Sequence, residues 1–332
     1  MSGVLTQLIL ATLLGPTNAP PARGSEAEFI GTMQRIQRDA RLAPMARFDS
    51  KHFVAISNAA DDFSRERLKL CEHFQDAFLR HFERKGFAVA APVERHMIAI
   101  FDSNEGFDAY FGRKMNGTLG VYHPQTNRLI LYDFSQNRQI RGQREALLEK
   151  GGNLGNSWQR QKYEQSVSRK IDDYTNDVNL SVTMHECAHL VSFNCGLLNR
   201  TKDVPAWLAE GLAAYCEATN GGDWTALGSP NPMRIRDLQR ANGNLIELTD
   251  LVRQDRWVQS SQVLTGYAQS WALFHMLMTE RPKELRRYLD LIRERRTSES
   301  RLADFQEAFG DLRRTEARYA AYRRDMIAHA AR

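Results

Sequence analysis

His185, Glu186 and His189 stand in the order H-E-x-x-H. On a helix, residues four apart lie one turn apart on the same face. His185 and His189 can therefore both offer imidazole nitrogens to one metal ion. Glu186 lies about 100° round such a helix, within reach of a water on the metal but poorly placed to be a ligand. Neutral imidazole suits zinc, and a catalytic zinc site takes three protein ligands and leaves one position open for water. Zinc lowers the pKa of that water towards neutrality, and a nearby carboxylate can take its proton.

The motif alone is only suggestive, because two ordinary histidines on a surface helix would give the same pattern. The flanking residues argue against that alternative. Val182, Met184, Leu190 and Val191 make the helix apolar elsewhere, as in a buried helix. A second helical pattern follows, in which Glu210 sits inside the apolar run from Val204 to Tyr215. A buried carboxylate without a partner is costly, so Glu210 needs a cation or a metal.

H-E-x-x-H, a spacer of about twenty residues and then Trp207-Leu208-Ala209-Glu210-Gly211-Leu212-Ala213-Ala214-Tyr215 resemble the gluzincin metallopeptidases. The aminopeptidase N group carries a similar W-L-N-E-G-F-A block. The sequence looks closer still to a bacterial, planctomycete-type family of gluzincin-like proteins. That family shows P-x-W-L-x-E-G-L-A-x-Y and a later G-Y-A-Q-x-W-A-L block, found here from Gly266 to Leu273. The likeness runs from about Phe48 to Phe309. It implies His185, His189 and Glu210 as ligands of one zinc ion and Glu186 as general base, in an enzyme that hydrolyses peptide bonds. It also points to Tyr267, 57 residues after Glu210. Aminopeptidase N-type gluzincins place a tyrosine at about this distance that donates to the oxyanion, and such a donor is worth about 2–4 kcal/mol in the transition state. The other reading of Tyr267 is a core tyrosine. Two departures matter. No G-x-M-E-N-type segment is present, which puts exopeptidase specificity in doubt. The residue four after Glu210 is Ala214, so no carboxylate backs the ligands there, and Glu217 is the available substitute.

The elements that must position these residues form an expected α+β chain of 332 residues. A small mixed α/β subdomain with a hairpin comes first, over 25–134. Strands are predicted at 52–57, 96–101, 119–123 and 128–132, the last two a hairpin about Pro124 to Asn127. Helices are predicted at 61–85, where Phe74, Phe78 and Phe82 recur at helical spacing, and at 104–111. The resemblance implies that this sheet roofs the active-site cleft, with its edge strand holding substrate backbone. Residues 135–175 are polar and lack apolar periodicity, which predicts a surface insertion or linker. A mainly helical, zincin-like catalytic subdomain is expected over 176–332. It includes a Gly/Pro/Asn-rich loop at 219–235, a strongly apolar helix at 263–279 and further helices to 330. His275 reads as a satisfied core histidine.

Composition bounds the remainder. Hydrophobic content of 42% and charged content of 26% are ordinary for a globular protein. The net charge is +5, with arginines crowded into 281–324. Acids interleave with them, as in Arg293-Glu294-Arg295-Arg296, so a solvated helical face is expected rather than nucleic-acid binding. Residues 4–14 are apolar but too short to span a bilayer. With the small residues and prolines of 15–24 they resemble a signal peptide, though no basic residue precedes Arg23. An exported protein is the expectation, an ordinary N-terminal helix in a cytoplasmic one the alternative. Two of Cys187, Cys195 and Cys216 could form a disulfide after export, or all could be buried thiols. No membrane span is expected. The partner expected is a peptide or protein substrate. The competing function is a catalytically silent, peptidase-fold binding module with a structural zinc.

Overall fold

The computed structural model describes residues 24–152, 156–220, 222–241, 243–294 and 297–330. The expected leader at 1–24 lies outside them, Gly24 apart. Ser25 opens α1 (Glu26–Asp39) with a capping box: its hydroxyl accepts from the Glu28 N–H, and the Glu28 carboxylate accepts from the Ser25 N–H. Then come β1 (Ala46–Asp49), β2 (Phe53–Ser57), α2 (Asp61–Arg84), β3 (His96–Phe101), α3 (Asn104–Phe111), β4 (Gly120–His123) and β5 (Arg128–Tyr132). The five strands form one sheet in the order β1-β2-β3-β5-β4. β2, β3 and β5 run parallel, while β1 and β4 pair antiparallel to their neighbours. Every residue of β2, β3 and β5 is buried, as unbroken runs such as Phe53-Val54-Ala55-Ile56 require of strands covered on both faces. β4 lies at the edge.

The described residues of 135–175 are mostly helical, where their polar composition predicted a surface insertion or linker. They form a single 3-10 turn, α4 (Arg138–Gly152) and the first half of α5 (Ser157–Ser192). The Asn156 side chain caps α5 by accepting from the Gln159 N–H at 2.7 Å. Before Asn179 only Val167 and Thr175 of α5 are buried. Without an apolar stripe the periodicity that marks a helix is absent. The H-E-x-x-H segment is the far end of this 36-residue helix. α4 lies along α5 and is tied to it by the Arg144–Asp172 ion pair.

The chain continues with α6 (Ala206–Cys216), a two-residue hairpin pair β6 (Thr219–Asn220) and β7 (Asp223–Trp224), α7 (Pro232–Ala241), α8 (Leu248–Arg253), α9 (Val263–Glu280), α10 (Pro282–Arg293), α11 (Arg301–Phe309) and α12 (Leu312–Ala330). The whole forms an α+β fold with a helical C-terminal part. All of α6 is buried. It crosses α9 so closely that a Cβ on Gly211 would come 2.5 Å from the Ser270 carbonyl oxygen. The glycine of W-L-A-E-G-L-A thus lets the helix bearing Glu210 approach the helix bearing Tyr267. All four cysteines are free and buried. Among the described residues no helix is long and apolar enough to cross a membrane.

Candidate metal centre

The buried end of α5, the middle of α6 and the start of α9 converge. His185 Nε2 lies 3.1 Å from Glu210 Oε2, and His189 Nε2 lies 3.5 Å from the same oxygen. The imidazole rings stand edge to face with centroids 4.9 Å apart. One donor atom from each of His185, His189 and Glu210 falls within 4.8 Å of the others. Relative exposures are 0% for His185, 2% for His189 and 0% for Glu210, so water does not solvate these groups.

Several buried polar atoms here lack hydrogen-bond partners: Glu210 Oε1, Glu186 Oε1 and both ring nitrogens of His189. Such atoms are costly in isolation. A divalent cation among them would satisfy Glu210 and His189 together, and two imidazoles with one carboxylate are a common donor set for zinc. Charge points the same way. Glu186, Glu210 and Glu217 are buried carboxylates, while Arg234 supplies one buried guanidinium. These carboxylates attract positive charge: burial lowers the His185 imidazole, but Glu217 and Glu210 outweigh it and push it up to about 10, and a dication would meet the same need. Burial would raise the Glu210 carboxyl, but the two imidazoles outweigh it and hold it at about 2.

Glu186 occupies the side of the helix the spacing predicts. Its Oε2 accepts the backbone N–H of Tyr122, on the edge strand β4, at 2.6 Å. A Cβ on Gly120 would meet Val182 Cγ1 at 2.6 Å and Glu186 Cγ at 3.2 Å, so only glycine lets β4 lie this close to α5. Burial pushes the Glu186 carboxyl upward, Glu210 adds to this, and the two imidazoles oppose it. The Tyr122 ring stacks over His189, with centroids 6.5 Å apart. The edge strand expected to hold substrate backbone thus reaches the site, but its Tyr122 amide is already taken by Glu186.

Glu217 ends α6 and fills the place that Ala214 could not. Its Oε2 accepts from His185 Nδ1 at 2.5 Å, which leaves Nε2 facing Glu210. Its Oε1 accepts from Arg234 Nε at 2.7 Å and from Asn231 Nδ2 at 3.0 Å. Arg234 and Asn231 escape sequence reasoning because they fall in a segment that looks like loop. The available signal is Asn231 before Pro232: its side-chain oxygen caps α7 by accepting from the N–H groups of Met233 and Arg234.

Tyr267 is fully buried, with its ring centroid 6.1 Å from that of His185. Burial raises its phenol well above the usual value, with Glu210 and Glu186 the next causes. The tyrosine therefore belongs to the surroundings of the His185, His189 and Glu210 cluster. His275 is satisfied as expected, with Nδ1 bonded to the Tyr322 hydroxyl at 2.7 Å and Nε2 to the Gly228 carbonyl at 3.1 Å.

The fold and this cluster define an α+β protein with a buried three-donor group able to hold a metal ion. Residues 179–299 match a family model described as "Protein of unknown function (DUF1570)". The matched span contains His185, Glu186, His189, Glu210, Glu217, Arg234 and Tyr267. It is shorter than the likeness expected from about Phe48 to Phe309, and the family's description carries no gluzincin assignment. No curated protein matches the chain at a significant level.

Proposed function

We propose that this chain is a zinc-dependent metallopeptidase of gluzincin type, with Glu186 as its general base. The observation that carries the reading is the convergence of His185, His189 and Glu210 donors within 4.8 Å of one another in a fully buried site. Zinc held by these three residues would lower the pKa of a coordinated water and polarise a peptide carbonyl. Glu186 Oε2 is fixed by the Tyr122 N–H, which leaves Oε1 without a partner and available to take a proton. After bond cleavage the same oxygen would return that proton to the leaving amine. Tyr267 would donate its hydroxyl to the oxyanion. Glu217 would keep the His185 proton on Nδ1, so that Nε2 stays a ligand.

The burial of every site residue favours a second reading, a silent binding module with a structural metal. Against it, structural zinc sites are usually closed by four protein ligands. Among the described residues the cluster offers three, beside a carboxylate suited to base catalysis. A peptide-library digest of wild type beside Glu186→Gln decides between them. The metallopeptidase reading expects zinc-dependent cleavage that Glu186→Gln abolishes while zinc stays bound. No cleavage by zinc-loaded wild type across the library favours the silent module.

A further inference from the structure

Arg234 is 1% exposed, lies outside the H-E-x-x-H and W-L-A-E-G blocks, and touches both halves of the site. Its Nε donates to Glu217 Oε1 at 2.7 Å, and the other oxygen of that carboxylate holds His185 Nδ1 at 2.5 Å. Its guanidinium carbon lies 5.2 Å from the centre of the Tyr267 ring. Its Nη1 is 3.8 Å from Asp237 Oδ2, a loose pair, and its Nη2 is buried without a hydrogen-bond partner.

This is a poor way to stabilise a core. Buried ion pairs rarely beat well-packed apolar replacements, and a partner left incomplete makes the balance worse. The arrangement makes sense for placement. A guanidinium is a rigid plane whose edge donates to a carboxylate while its face lies on an aromatic ring. A single such group can hold Glu217 and Tyr267 in fixed relation.

We propose that Arg234 is a positioning residue that holds the metal ligand His185, through Glu217, and Tyr267 in register with each other. The inference rests on reading the site as a metallopeptidase centre. It makes zinc retention and turnover depend on one side chain that contacts neither ligand nor scissile bond. The Glu217 limb governs zinc affinity, since partners of ligating histidines are typically worth tenfold to a hundredfold in metal binding. The Tyr267 limb governs turnover.

The test measures zinc affinity by competition with a fluorescent chelator for wild type, Arg234→Gln, Glu217→Gln and the double variant. Arg234→Gln should weaken zinc by about tenfold. The double variant should bind within about threefold of Glu217→Gln alone, because the two residues act in series. Wild-type affinity in Arg234→Gln, or independent losses that multiply in the double variant, overturns the proposal. A merely structural arginine would lower the melting temperature and leave zinc affinity unmoved. Should Arg234→Gln not fold, Arg234→Lys keeps the charge against Glu217 but not the flat face on Tyr267. It should hold zinc within about threefold of wild type. It should also turn over a quenched-fluorescent peptide pool at least about tenfold more slowly at saturation, with the half-saturating concentration unchanged. Wild-type turnover in Arg234→Lys also overturns the proposal. Wild type that binds no zinc refutes the metallopeptidase reading itself, before any variant is compared.

Discussion

The backbone N–H of Tyr122 donates to Glu186 Oε2 at 2.6 Å, joining the edge of the sheet to the H-E-x-x-H end of α5. This bond predicts different outcomes for two substitutions at one position. In Glu186→Gln the amide oxygen can still accept from Tyr122, so the melting temperature should stay close to wild type while turnover is lost. In Glu186→Leu the buried N–H loses its partner, which should lower stability by about 1–3 kcal/mol. Thermal denaturation of both variants checks this, and equal melting temperatures would remove the bond from the account.

Gly120→Ala should be destabilising although alanine is small. Its Cβ would sit 2.6 Å from Val182 Cγ1 and 2.9 Å from Leu131 Cδ2, with sheet on one side and α5 on the other. Overpacking of this kind typically costs about 1–3 kcal/mol. Because Glu186 Cγ lies 3.2 Å from the same point, turnover should fall too. Denaturant unfolding with a peptide assay reads both effects, and an alanine variant as stable as wild type would contradict the close approach of β4 to α5.

Tyr267→Phe should lower kcat by about a hundredfold or more, with KM and zinc content nearly unchanged, because an oxyanion donor acts only in the transition state. Steady-state kinetics with metal analysis measures this directly. Full activity in the phenylalanine variant would make Tyr267 a packing residue.

His81, on α2, bonds the Tyr215 hydroxyl through Nε2 at 3.0 Å. Burial, then Lys85 and Arg84, push its pKa from 6.5 down to about 4. A histidine whose folded pKa lies below its unfolded value favours the fold while neutral. Its contribution is therefore complete above about pH 6.5 and is lost as the pH falls towards 4. Melting temperatures of wild type and His81→Gln, in the same metal state, should converge over that window. A constant difference across it would contradict the depressed pKa.

The parts legible in the sequence were those where one pattern dominates. Phe74, Phe78 and Phe82 marked α2, and unbroken apolar runs marked β2, β3 and β5. The H-E-x-x-H spacing and the apolar setting of Glu210 placed three donors that the fold brings within ligand distance. The half of α5 before Asn179 was illegible because a helix solvated on most sides carries no stripe. Arg234 was illegible for a different reason: nothing in the local sequence says that this arginine, among many, is buried against Glu217 and Tyr267. Glu217 was foreseeable as a substitute for the carboxylate missing at Ala214, but its bond to His185 depends on how α6 ends. The Tyr122 contact needed the sheet order, which puts β4 at the edge beside α5.

Metal analysis of the purified protein tests the central claim most directly. The account predicts about one zinc ion per chain, lost on His185→Ala and on Glu210→Ala while the fold remains, as expected for a site with three protein donors. Zinc below about half an equivalent in wild type, or a content that His185→Ala leaves unchanged, would contradict it.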